Sequence, residues 1–252
     1  IAVSGMHLAL IFVLFAFILK PMKIKSKWLY FFSALIIIWG FCLLAGSAAS
    51  IVRAATMTSF YILSDTLERQ KNKYNPIFAS AFVLLCYNPL WLWDVGFQLS
   101  FAAVLSILIF YPSINNLWNP RNYFIKLIWQ MLAVTLAAQI LTTPISIYYF
   151  KQFPVYFLFA NLIAIPLTNF LLILIILLLI FYSFLPIIAT VFAFLIDLGF
   201  RWLVQLIHQI EKLPSAIISS IHINTIQLFC LYLMIGAMAY AIYKHSKKYY
   251  YL

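Results

Sequence analysis

Seven stretches of this chain carry no Asp, Glu, Lys or Arg: 1–19, 28–52, 74–93, 95–120, 127–150, 152–196 and 213–243. About 20 apolar residues at 1.5 Å rise cover the roughly 30 Å hydrocarbon core of a bilayer. Each stretch is therefore long enough, or nearly so, to cross it, and 152–196 has to hold two crossings. Of the 252 residues 66% are hydrophobic and only 8% charged, against about a quarter charged in a soluble domain. A soluble globular domain is excluded. A transmembrane β-barrel needs roughly ten-residue segments of alternating polarity, and runs such as Leu171 to Phe181 do not alternate. The expected class is all-α: a polytopic transmembrane helical bundle of about nine crossings, some short or interrupted by proline.

The predicted spans are 1–19, 28–48, 50–64, 76–92, 95–111, 127–148, 155–182, 186–209 and 226–243. With no fixed-period repeat and no low-complexity linker, residues 1–252 read as a single domain. Ile1 lies inside an apolar run without an initiating Met or a basic flank, which reads as a fragment of something longer. Cys42, Cys86 and Cys230 have no paired spacing and read as reduced packing residues within apolar runs.

A net charge of +11 invites a nucleic-acid footprint, but its distribution says otherwise. Lys20, Lys23, Lys25 and Lys27, then Arg69, Lys71 and Lys73, then Arg121 and Lys126, then Lys244, Lys247 and Lys248 fall in alternate polar segments. If these share one side, the positive-inside rule makes that side cytoplasmic. Nine crossings then put the N-terminus outside and the C-terminus inside, with Lys151 and Lys212 in outer loops. Most of the charge is topology.

Two spans fall short of a comfortable crossing: 50–64 rises about 22 Å, and the apolar part of the fourth, 77–87, about 17 Å. Trp91 and Trp93 beside Asp94 resemble an aromatic anchor at a membrane surface or cavity mouth. Pro76, Pro89, Pro144, Pro154, Pro166 and Pro186 are candidate interruptions, tolerated in lipid only where protein or water satisfies the backbone.

Polar side chains inside the spans are functional candidates by default, because a charge at the bilayer centre costs about 2.5–3.5 kcal/mol on the insertion scale. Arg53 follows the small residues of 46–50 and shares a face with Ser47, Ser50 and Thr56. It is either an interfacial arginine near a helix end or one facing an aqueous path, paired with Asp94 or meeting a phosphate. Asp94 opens the segment Asp94-Val-Gly-Phe-Gln-Leu-Ser100. It reads as a helix N-cap or, with Gln98 and Ser100 extending the polarity, as a pathway residue. Gln139, Thr143 and Ser146 form a stripe at i, i+4 and i+7, and Asn161, Thr168 and Asn169 a similar one. Interhelical hydrogen bonding and a water-lined path explain such stripes equally well. His7 reads as a packing histidine or a catalyst. Asp197 and Arg201, four apart, read as a mutually neutralising pair. There is no zinc-type histidine motif, phosphate-binding glycine loop or nucleophile elbow, and the sequence implies no metal or cofactor.

Several segments together resemble the membrane-embedded competence domain of the ComEC type, the DNA-uptake channel family of natural transformation. They are Ala2-Val-Ser-Gly-Met-His-Leu8; Leu44-Ala-Gly46 through Ile51-Val-Arg-Ala54; Asn88-Pro89 with Asp94-Val-Gly-Phe-Gln-Leu-Ser-Phe-Ala-Ala-Val104; Leu136-Ala-Ala-Gln-Ile-Leu-Thr-Thr-Pro144; and Phe159-Ala-Asn-Leu-Ile-Ala-Ile-Pro-Leu167. Met6 stands where the family usually has leucine. The resemblance implies passage of single-stranded DNA across the bacterial cytoplasmic membrane, with other uptake machinery and a cytoplasmic motor or single-strand-binding proteins as partners. It also implies an N-terminal OB-like domain and a C-terminal metallo-β-lactamase-like nuclease domain beyond this sequence, so the chain itself is expected to be no enzyme. It carries over His7, Arg53, Asp94, Gln98 and Asn161 as channel candidates, to which the polar stripes add Ser100 and Gln139. The expectation is that Arg53, Asp94, Gln98 and Gln139 face a common polar cavity. Two other classes stand beside it: a membrane enzyme using His7 and Asp94 as an acid/base pair on a lipid-linked substrate, and a proton-coupled transporter with Asp94 as proton carrier. An enzyme needs the two groups converging on one reacting atom; a channel needs polar groups strung along a through-path.

Overall fold

A computed structural model describes residues 5–19, 26–68 and 72–250, with side chains except at 6, 7, 17–19, 243 and 245–250. Among the described residues there are nine α-helices: α1 Gly5–Leu19, α2 Lys27–Leu44, α3 Ala49–Thr66, α4 Asn75–Tyr87, α5 Val95–Asn115, α6 Tyr123–Phe150, α7 Phe157–Phe181, α8 Pro186–Glu211 and α9 Thr225–Tyr250. Each falls on one predicted span. Six of them, α2 and α5 to α9, are long and apolar enough to cross a membrane. The chain is a multi-pass helical membrane protein.

The short spans are short for visible reasons. Pro76 opens α4, and Asn88 ends it by turning extended and accepting the Leu90 N–H at 3.0 Å, starting a 3-10 segment over Pro89–Trp93. With 13 residues α4 rises only about 20 Å. At 18 residues α3 is longer than its predicted span, yet it is not among the six because it is less apolar. Pro144 and Pro166, in contrast, lie inside unbroken helices. Neighbouring hydroxyls take up carbonyls close to these prolines: Tyr232 donates to Leu141 O at 2.8 Å, and Thr168 to Ala164 O at 2.8 Å.

The chain forms two compact units, Ile1–Leu108 and Ile109–Leu252. In the first, Leu8, Phe31, Ile38, Cys42, Ile51 and Ile62 from α1, α2 and α3 make one core. A Cβ on Gly5 would stand 2.9 Å from Ala54 Cβ, so α1 lies close against α3. Gly46 (φ 76°) and Ser47 (φ 50°) turn α2 into α3 through left-handed backbone. Ile77, Leu84, Phe97 and Phe101 make a second core between α4 and α5, against which Val52 and Met57 of α3 pack. Cys42 is the packing residue the sequence suggests, whereas Cys86 and Cys230 are exposed free thiols.

In the second unit α7 and α8 form an antiparallel hairpin, with Phe181 and Phe192 rings 5.9 Å apart near its turn. A side chain at Gly199, midway along α8, would overlap Leu171 of α7. The α6–α7 and α8–α9 loops join in a two-stranded antiparallel ladder of β1 Phe153–Pro154 and β2 Ile217–Ile218. Ile221 N–H to Lys151 O at 3.1 Å extends the contact. These two loops therefore lie on one side, as two crossings between them require. In the first unit Lys27 at the start of α2 is hydrogen-bonded to Glu68 beyond α3, joining two loops separated by a helical hairpin in the same way. That hydrogen bond and the ammonium charge hold the Glu68 carboxyl below its ordinary range. The support is present at neutral pH and lost as pH falls through the lowered value.

The ladder gives a direct check on parity. With the native cysteines replaced, Phe153→Cys with Ile218→Cys should cross-link under mild oxidation, since Cα partners across an antiparallel pair lie about 4.5–5.5 Å apart. Phe153→Cys with Ile226→Cys should not, and equal cross-linking of both pairs would contradict the ladder.

Candidate functional site

The polar groups of the first unit converge where α3 meets the start of α5. Arg53 is only 8% exposed, and its Nη1 donates to Asp94 Oδ1 at 3.2 Å. The same oxygen accepts the Phe97 N–H at 2.7 Å, which is the N-cap of α5. Asp94 is thus the helix N-cap that its sequence position suggests, and it is also the partner that one reading of Arg53 expects. Its own side chain is half exposed, so the pair has a buried end and an open one.

Gly96 makes this approach possible. A Cβ there would stand 2.9 Å from Arg53 Nη2 and 3.1 Å from Asp94 Oδ1. The guanidinium thus rests on the bare backbone of the first turn of α5. The sequence shows a glycine two residues beyond an aspartate, a signal that becomes specific only once Arg53 is known to lie opposite. The Arg53 Nε is buried without a hydrogen-bond partner. A guanidinium fork matches carboxylate or phosphate oxygens, and here its Nη1 meets the Asp94 carboxylate.

Gln98 and Ser100 serve this turn locally. Gln98 Nε2 donates to Leu92 O at 2.9 Å, satisfying a carbonyl of the 3-10 segment, and Ser100 Oγ donates to Gly96 O at 2.7 Å. Trp91 packs on Tyr87 with centroids 5.6 Å apart, and Trp93 is largely exposed beside Asp94, as an anchor at a surface or cavity mouth would be. His7 lies within α1, but its side chain is outside the described residues.

The second unit holds the remaining candidates. Gln139 Oε1 accepts from Thr143 at 3.0 Å and Thr142 at 3.4 Å, so its stripe is hydrogen-bonded along α6 itself. Asn161 is half-buried on α7, and Asn169 Oδ1, two turns further, is buried without a partner. Among the described residues no three His, Cys, Asp or Glu side chains are grouped to hold a metal ion.

A multi-pass helical protein with a buried, partly unsatisfied arginine at a helix N-terminus is the class this geometry defines. The chain belongs to the Competence protein family, which matches residues 1–246. It is 30% identical over 130 residues to ComE operon protein 3 of Bacillus subtilis (strain 168), a match covering 52% of this chain and 16% of that relative. The matched stretch is thus a small part of the relative's length. No solved structure matches the chain.

The cradle predicts a graded response. Asp94→Ala removes cap and counter-charge together and should lower thermal stability in detergent more than Asp94→Asn, which keeps an acceptor; cap loss alone costs about 0.5–2 kcal/mol. Gly96→Val meets the movable end of the Arg53 side chain, so it should push the guanidinium off Asp94 and cost less than Asp94→Ala, which also loses the cap. A larger loss of stability for Gly96→Val than for Asp94→Ala would contradict this arrangement.

Proposed function

We propose that this chain is the membrane part of a DNA-uptake protein of the bacterial cytoplasmic membrane, and that it passes single-stranded DNA inward without catalysing any step itself. The observation that carries the reading is Arg53: a cation held among membrane helices, with one donor unpartnered and its counter-ion Asp94 half open. Membership of the Competence family supports the same reading. A polyanion route needs some positive charge and few tight sites, because strong binding at one point stalls movement. Arg53 supplies the charge and Asp94 tempers it.

The lysine-bearing loops set the proposed orientation, with 20–27, 65–75 and the C-terminal segment cytoplasmic and the β1–β2 loops outside. The loop pairings Lys27–Glu68 and β1–β2 agree with this parity. DNA-degrading chemistry is assigned to other domains of the full-length protein, and a motor or single-strand-binding protein receives the strand inside. Asp94 is engaged by both Arg53 and the Phe97 N–H, which disfavours its use as the acid/base partner of a membrane enzyme.

In the full-length protein in a transformable bacterium, Arg53→Ala and Asp94→Ala should each lower DNA entry into the cytoplasm about tenfold or more, the factor of a 1.4 kcal/mol barrier. Surface DNA binding and membrane insertion should persist, and exposed Leu179→Ala should be neutral. Wild-type transformation by both polar variants at normal membrane levels would remove the pathway assignment. In the same cells Lys151→Cys should react with an impermeant thiol reagent from outside and Lys25→Cys should not.

A further inference from the structure

A long polar surface runs along α8 in the second unit. Thr190, Asp197, Arg201, Gln205, His208 and Lys212 recur at intervals of three, four or seven residues, which on a 3.6-residue helix is one continuous stripe. All six are exposed. Phe194, also exposed, fills the gap in the stripe between Thr190 and Asp197. From Thr190 to Lys212 the stripe runs about 33 Å at 1.5 Å per residue, the full thickness of the hydrocarbon core.

The depth of its charges follows from packing. Buried Ala189 and Leu203, with Gly199, mark the α7-facing side of α8, and they lie across the helix from the stripe. Gly199 sits against Leu171 near the middle of α7, the most apolar of the six candidate spans. Asp197 and Arg201 flank Gly199 in sequence, so this pair lies near the middle of the membrane. Arg201 Nε donates to Asp197 Oδ2 at 2.8 Å, yet the two side chains remain 76% and 57% exposed. Lipid solvates neither, and one hydrogen-bonded contact leaves most of their donors and acceptors unmet.

We infer that the polar stripe of α8 faces water through the whole thickness of the membrane and forms a wall of the route that the cargo follows. The occupant is a water column, and its identification as the path of a single strand rests on the function proposed above. Helix pairing in membranes relies on small residues that let backbones approach. The small residues Ala189 and Gly199 are placed against α7, while the stripe presents long side chains. The charges near its middle cancel locally, Asp197 with Arg201, and Glu211 at its edge lies 3.9 Å from His208, which suits passage of a polyanion without a trap. Phe194 adds a flat face on which bases can stack.

The test is a cysteine scan of the full-length protein in its native membrane, with Cys42, Cys86 and Cys230 replaced. Thr190→Cys, Phe194→Cys, Arg201→Cys and Gln205→Cys lie on the stripe; Leu195→Cys and Trp202→Cys are exposed at similar depth but off it. A small water-soluble thiol reagent reacts with the thiolate, which lipid suppresses. Stripe positions should be modified about tenfold or more faster than Leu195→Cys and Trp202→Cys. Equal rates, or unreactive stripe positions that instead cross-link between two copies under oxidation, would overturn the water-lined wall. A strand arrested during uptake by a bulky end should protect the stripe thiols. Fast labelling without protection would keep the water-lined face and overturn the single-strand cargo, so the two readings fail separately.

Discussion

Hydrocarbon solvates neither peptide groups nor ions, and most of what is unusual in this protein follows from that. Chain that crosses a bilayer has to pair its backbone internally, as a helix or a closed barrel, and here it does so as helices. Where the helix is broken, between α4 and α5, side chains take over: Asn88 accepts the Leu90 N–H, Gln98 donates to Leu92 O, and Asp94 accepts from Phe97. A buried Arg53 then needs a counter-ion, and the carboxylate that caps α5 supplies it. The cap, the pair and the glycine beneath the guanidinium form one interdependent arrangement. Altering any of the three changes the environment of the other two.

The helices were legible because charge-free runs and their lysine-bearing breaks mark crossings almost irrespective of tertiary contacts. The pairing with Asp94 was one of three readings of Arg53, since 41 positions separate the two and periodicity within a helix carries no information about its neighbour. Gly96 was illegible for the same reason: its meaning depends on an atom from α3. The β1–β2 ladder has two residues per strand, too few for any alternation to register. Cys86 and Cys230 show the converse limit, because an apolar run gives burial in lipid and burial in protein the same sequence pattern. The α8 stripe was written in the spacing throughout. Reading Asp197 and Arg201 as a self-contained pair hid it, and only their exposure on the face opposite α7 brings out what a neutral pair still lacks.

Two kinds of polar surface thus coexist in this Competence-family chain. One is compact, where α3 meets α5, with a buried cation hydrogen-bonded to Asp94 and its Nε without a partner. The other is extended along α8 and nearly neutral in sum. A site that holds a ligand would concentrate unmatched charge, whereas a route that lets one move spreads polarity thinly over its length. The distribution here is of the second kind, which supports the transport role proposed above.

Whether the strand travels along these groups can be measured by site-specific photocross-linking in the full-length protein. A benzophenone amino acid would replace Gln98, Gln205 or exposed Leu179, one at a time, and labelled DNA would be arrested during uptake. The account predicts cross-links to single-stranded DNA from 98 and 205 and none from 179. Cross-links confined to 179, or none from any position while uptake is arrested, would contradict it.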